Sequence, residues 1–244
     1  MVLKKKYRQF TCVIIDHTHG RVLDVLDSRE KARVIEWLKA ARESGLLSSL
    51  EEVTIDLWEA YANAVREVFG SGVRVTVDRF HVMKNFQDGL SDARREIQRS
   101  LPKEAAKELK GTRWLWLTNP ENLTPEQRVE LTALKERFPA LAHLSEHREA
   151  LRQIFDDPAI RTPEEGRWRW MGWCEDGRPL GLAALEKFNG TLERRLNEMA
   201  NYFARRSRNG RREGLNRGIR SLLWHAYGMT AFPHFRLRVL HAFG

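Results

Sequence analysis

Short apolar runs alternate with turn residues through the first quarter of the chain, and longer helical periodicities take over beyond it. The β-branched runs FTCVIID and RVLDVLD flank a turn-like HTHG, which predicts a hairpin. In SREKARVIEWLKAARESG the apolar positions Val34, Ile35, Leu38 and Ala41 recur at helical spacing, with Gly45 as the stop. EEVTID predicts a further strand, LWEAYANAVREVFG a helix, and VRVTVD a fourth strand leading into a helix near Phe80. From about residue 100 to 180 strand signals fade. TPEQ at Thr124–Gln127 and TPEE at Thr162–Glu165 each place threonine at an N-cap, proline at N1 and an amide or acid at N3. Long helices resume at Gly181, and FPHFRLRVLHAF ends the chain. The pattern predicts an α/β segment over 1–99, a helical insertion over 100–180, and helices over 181–244 that complete the first segment's core.

The helix expected after Gly210 carries its own division. At about 100° per residue, Leu215, Ile219, Leu222, Leu223 and Ala226 fall on one arc, a stripe suited to burial. Glu213, Asn216, Arg217, Arg220 and Trp224 share the roughly opposite, polar arc. Glu213 and Arg217 there form an i,i+4 ion pair on one reading; on the other, the acid faces a ligand.

Charge sharpens the second reading. The chain has 244 residues, a net charge of +9, 42% hydrophobic and 31% charged residues. Between Arg194 and Arg220 stand nine arginines and two acids, Glu198 and Glu213. Arginine's planar donors bind two phosphate oxygens at once, so Arg205, Arg206, Arg208, Arg211, Arg212, Arg217 and Arg220 are expected to contact nucleic-acid phosphates. No long apolar span accompanies them, so a membrane is not the expected partner. Cys12 and Cys174 form no CxxC pair, and the start of the chain has no secretory apolar region; both point to the reducing cytoplasm. Five of the eight tryptophans, Trp114, Trp116, Trp168, Trp170 and Trp173, fall in the helical insertion. Packing is the expected role of most, and base stacking the alternative.

Two aspartates end predicted strands. Asp56 closes VTID, where it serves either as an N-cap with Glu59 at N3 or as a displayed acid. Asp78 closes VRVTVD and is followed by His81, either a helix-start histidine or a ligand. Hard divalent cations take oxygen ligands, and phosphoryl transfer on two such ions needs carboxylates converging from different elements.

Together VTIDLWEAYANAV, VRVTVDRFHVMKNF, LEKFNGTLERRLNEMANYF and RSRNGRREGLNRGIRSLLWHAYGM resemble the DDE transposases of bacterial insertion sequences, in the ISL-three group. The resemblance runs from LKKKYRQF to FRLRVL. It implies an RNase H-like (retroviral integrase) core interrupted by a helical insertion before its last acid. It implies Mg²⁺- or Mn²⁺-dependent DNA strand cleavage and transfer at transposon ends, with DNA ends and target as partners. A homo-oligomer in the active complex and a bacterial, nucleoid-associated cytoplasmic location are implied likewise. Asp56 matches the second catalytic aspartate and Glu213 the closing glutamate, both as metal ligands. Asp78 and His81 match a DRFH element that supports the site, and Asn216 belongs to the supporting NG-x-x-EG-x-N pattern.

The family's first aspartate lies just before the residues matching VLKKKYRQF, where this chain has Met1. The expectation is therefore a core lacking its first strand and acid, together with the upstream zinc-binding and helix-turn-helix regions. Such a truncated chain is expected to bind DNA in a salt-sensitive way and to cleave it poorly. Asp16 is no substitute, because in IIDHTHGRVL it suits a turn. The alternatives are a non-catalytic nucleic-acid-binding remnant, an RNase H-like nuclease and, least favoured, a helical adaptor.

Overall fold

The computed structural model describes residues 2–4, 9–177, 181, 183–206, 210–225 and 231–244; for 2–4, 9, 184, 210–213, 216 and 223–225 it describes the backbone alone. The chain is mixed α/β and mostly helical, with small sheets. It divides into two compact units, Met1–Val75 with Arg206–Gly244, and Thr76–Arg205.

The first unit opens with β1 (Val2–Lys4) antiparallel to β2 (Gln9–Phe10). The predicted hairpin is β3 (Cys12–Asp16) with β4 (Arg21–Leu26), antiparallel, its register shifting between Ile14 and Ile15. Asp16 is the turn residue that its sequence context calls for. Its Oδ1 accepts the Thr18 and His19 amides at 2.9 and 3.1 Å, and its Oδ2 lies 2.6 Å from His19 Nδ1. Gly20 closes the turn at φ 70°, a left-handed conformation that favours glycine.

Helix α1 (Lys31–Glu43) buries Val34, Leu38 and Ala41, while Ile35 is half-buried. Gly45 ends its last turn at φ 78°, as expected of a stop residue. After β5 (Glu52–Ile55), helix α2 (Glu59–Phe69) packs on α1. Lys31 and Glu67 pair across the two helices at 2.6 Å, and Arg42 Nη1 donates to the Val68 carbonyl at 2.7 Å. Strand β6 (Arg74–Val77) forms a third two-stranded sheet with β5.

The late helices return to this first segment. Ile219 of α12 (Gly210–His225) and Phe235 and Val239 of α13 (Phe232–Phe243) form one buried cluster with Val22 and Val25 of β4. The predicted apolar stripe on α12 is borne out at Ile219, which is fully buried, and at Leu222, which packs against the cluster; Leu215 is half-buried. The side chain of Leu223, and Ala226 altogether, lie outside the described residues. Gly218 lets α12 and α13 approach, since a Cβ there would meet the Phe243 ring at 2.7 Å.

The second unit is built on helices: α3 (Arg79–Ser100), α4 (Lys103–Glu108), α5 (Arg113–Leu117), α6 (Pro125–Arg137), α7 (Pro139–Asp156), α8 (Pro163–Gly177), α9 (Ala183–Arg194), α10 (Leu196–Ala200) and α11 (Tyr202–Arg205). Both predicted capping motifs form. The Thr124 amide donates to Gln127 Oε1 at 3.0 Å and the Gln127 amide to Thr124 Oγ1 at 3.3 Å. At α8 the Thr162 amide donates to Glu165 Oε2 at 3.1 Å, with the reciprocal bond at 3.2 Å.

Aromatic rings fill the interior of this unit. Phe86 stands edge-on to Trp173 and Phe188, and Phe155 contacts Trp170, Tyr202 and Phe203. Of the five insertion tryptophans, Trp116, Trp170 and Trp173 are therefore core, whereas Trp114 and Trp168 are exposed. Among the described residues no helix is long and apolar enough to cross a membrane.

Candidate active site

Asp56 follows the last residue of β5, so a strand of β-branched residues delivers it to the strand tip. The helix beyond starts later than DLWE suggests. Trp58, not Asp56, occupies its N-cap position, and Glu59 opens its first turn instead of standing at N3. Asp56 instead makes an Asx turn, its Oδ1 accepting the Trp58 amide at 2.8 Å. The residue is half-buried, and no lysine, arginine or histidine pairs with its carboxylate among the described residues. One oxygen is thus fixed by the backbone, and among the described residues the group has no counter-ion. That donor set suits a hard divalent cation, which prefers carboxylate oxygen.

The neighbourhood of Asp56 includes two groups that sequence reading missed. The Cys12 thiol and the Tyr61 hydroxyl lie close enough to interact with each other. Burial pushes the Cys12 thiol up from its ordinary pKa, and the Asp56 charge pushes the same way. Burial likewise raises Tyr61, with Cys12 and Asp56 adding to it and Arg29 opposing. Both groups therefore stay protonated and neutral near pH 7 beside the Asp56 side chain.

Arg29 is the third missed residue. Its guanidinium carbon lies 3.7 Å from the Phe10 ring centroid and 4.3 Å from that of Trp58. No local pattern announces this, because the three residues come from β2, the approach to α1 and the approach to α2.

Glu213 lies on α12, in the same unit as Asp56. Its side chain lies outside the described residues, as do those of Asn216, Arg208, Arg211 and Arg212. Arg217 and Arg220 are exposed on α12, in keeping with the polar arc assigned to them. Arg205 is exposed at the end of α11, and Arg206 is half-buried at φ 42°, in the left-handed region. One arginine of the basic run is structural: Arg195 is buried and donates to Glu198 at 3.2 Å, both side chains lying inside the second unit. Among the described residues no group of three or more His, Cys, Asp or Glu side chains gathers as a metal site.

Asp78 and His81 belong to the second unit. Asp78 is buried at the N-cap of α3, accepting the Phe80 amide at 3.1 Å, and its Oδ2 lies 3.7 Å from His81 Nε2. The same unit holds a cleft of about 660 Å³ between α7 and α8, lined among others by Gln153, Asp156, Asp157, Trp168, Trp173 and Asp176. Its acids are largely engaged: Asp156 receives both terminal nitrogens of Arg79, and Asp157 pairs with Arg169 at 2.9 Å.

The first unit thus holds a strand-tip carboxylate, Asp56, and the late helix α12 that carries Glu213. The family model that matches, described as a transposase of the DDE type and ISL3 group, covers residues 1–239. The chain belongs to this transposase family. It is 26% identical to the transposase of insertion sequence element IS1001 from Bordetella parapertussis, over 98% of this chain and 58% of that protein. It is also 26% identical to the transposase of IS1557 from Mycobacterium tuberculosis, over 70% of this chain and 43% of that protein. The chain thus spans about half the length of these curated relatives. No solved structure matches it significantly.

Proposed function

We propose that the chain is the catalytic part of a transposase that cuts and joins DNA strands at the ends of an insertion sequence, with Asp56 and Glu213 as two of its metal-holding acids. The observation that carries this reading is Asp56 itself: a strand-tip carboxylate, fixed through one oxygen and without a described counter-ion, in the unit to which α12 returns. Membership of the transposase family and the names of the relatives support it.

In this reading the two acids hold Mg²⁺ or Mn²⁺, which when bound activates the attacking oxygen and steadies the leaving one. Asp56 offers one oxygen outward because the Trp58 amide keeps the other in place. Arg217 and Arg220, with Arg205, Arg206, Arg208, Arg211 and Arg212, hold DNA phosphates and contribute affinity without sequence information. Asp78, His81 and Asn216 support the site indirectly. The core is RNase H-like, carries the helical insertion of 100–180 and works as a homo-oligomer in the bacterial cytoplasm, bound to transposon ends and target DNA.

The test uses Fe²⁺ as a probe in place of Mg²⁺. With ascorbate and peroxide, iron held by these acids cuts the polypeptide nearby. The proposal expects cuts close to both Asp56 and Glu213, suppressed by excess Mg²⁺ and absent from Asp56→Ala and Glu213→Ala. Cuts near neither residue, in a chain that still binds DNA, would leave a nucleic-acid-binding protein without this chemistry.

A further inference from the structure

We infer that Arg29 holds a DNA backbone phosphate beside Asp56 and so positions the strand at the proposed site. This rests on the DNA-processing reading and adds to it a residue outside the late basic run. The observation is the way the cation is held. Phe10 and Trp58 present rings at 3.7 and 4.3 Å from the guanidinium carbon, and no acid pairs with it among the described residues.

Other arginines behave differently. Arg33 takes Asp27 at 3.1 Å and Glu36 at 2.8 Å, Arg152 is held by Glu149 and Glu121, and Arg236 by Asp24. Asp27, two residues from Arg29 in sequence, is spent on Arg33. Aromatic faces fix a guanidinium through the ring quadrupole while offering no oxygen acceptor, so its N–H donors remain directed at an external anion. A planar fork with free donors fits a phosphodiester's paired oxygens.

Trp58 links this cation to the acid. Its ring flanks Arg29, and its amide holds Asp56 Oδ1 at 2.8 Å. Arg29 also acts electrostatically on Tyr61, whose hydroxyl feels the Asp56 charge as well. Trp58 is 43% exposed, so the aromatic clamp opens to solvent where a strand has room to lie. A cation there offsets the repulsion between a phosphodiester and the Asp56 carboxylate.

The test measures equilibrium binding of the full chain to double-stranded DNA across a salt series, for the unaltered chain and for Arg29→Met, Arg29→Gln and Arg29→Lys. Methionine keeps an apolar stem between the rings and removes the charge, and thermal unfolding checks that the fold survives. The expected result is a three- to tenfold weaker affinity for Met and Gln, a log–log salt slope reduced by about one, and recovery of the slope by lysine. Unchanged affinity and slope in Met and Gln overturn the inference while the DNA-binding reading stands. Equal weakening by all three variants at an unchanged slope also overturns it, as a packing effect. Absence of salt-dependent DNA binding by the unaltered chain removes both readings together.

Discussion

Arg236 Nε donates to Asp24 Oδ1 at 2.6 Å across 212 residues of chain. Asp24 is nearly buried in β4, and its carboxylate also accepts Trp37 Nε1 at 2.9 Å and the Val25 amide at 2.7 Å. One acid thus fastens the hairpin to α1 and to α13. Asp24→Ala leaves those donors without their acceptor and is expected to cost roughly 2–3 kcal/mol in urea unfolding. Arg236→Ala removes a partner whose side chain is 41% exposed and should cost under about 1 kcal/mol. Equal costs for the two would contradict the assignment of Asp24 as the central acceptor.

Close helix packing gives a second expectation. Gly218→Ala puts a methyl group 2.7 Å from the Phe243 ring and should destabilise the chain by about 1–3 kcal/mol. Combining it with Phe243→Ala vacates that space. A double-mutant cycle should then return a coupling of roughly 1 kcal/mol or more, and strict additivity would show that the contact is unimportant.

His147 sets a pH dependence. It stacks on Trp173 with ring centroids 3.8 Å apart, and its Nε2 is buried without a hydrogen-bond partner among the described residues. Burial holds its pKa down to about 4, against an ordinary 6.5, with Asp176 pulling weakly upward. The unfolded chain takes the proton more readily, so this stability is fully present above about pH 6.5 and is lost as pH falls toward 4. His147→Phe should flatten the fall of the melting temperature between pH 7 and 4. A parallel fall in both proteins would assign it to other groups.

Asp56 can be separated into its two roles by substitution. Asp56→Asn keeps a side-chain oxygen for the Trp58 amide and removes the charge, so the melting temperature should hold while Mn²⁺ binding, read by proton relaxation, falls at least tenfold. Asp56→Ala should in addition lose roughly 1 kcal/mol of stability. DNA binding should survive both changes. Metal binding that persists in Asp56→Asn would remove this residue from the site.

Sequence periodicity reached the local elements because their causes are local. Alternating β-branched residues made the hairpin around Asp16, and Thr124 and Thr162 announced helix starts through groups three residues away. Even Ile219 could be assigned inward from the arc it shares with Leu215 and Leu222. Asp56 was legible as a strand-tip acid, though its turn was not, since Asp56 and Trp58 fit a cap as readily as an Asx turn. The Arg29 clamp, the Cys12–Tyr61 contact and the Asp24–Arg236 bond were hidden because each joins residues from separate elements. Arg195 misled in the opposite direction. It reads as part of a basic run, yet its neighbour three residues on, Glu198, neutralises it in the interior.

The divided first unit has a bearing on how the chain is made. Thr76–Arg205 is contiguous, so it can fold as soon as it leaves the ribosome, whereas Val22 and Val25 wait for Ile219, Phe235 and Val239 to be synthesised. During that interval the oily side of the nascent hairpin has no cover. Lesions in the last two helices will therefore surface first as insoluble product in expressing cells, before any defect in chemistry can be measured.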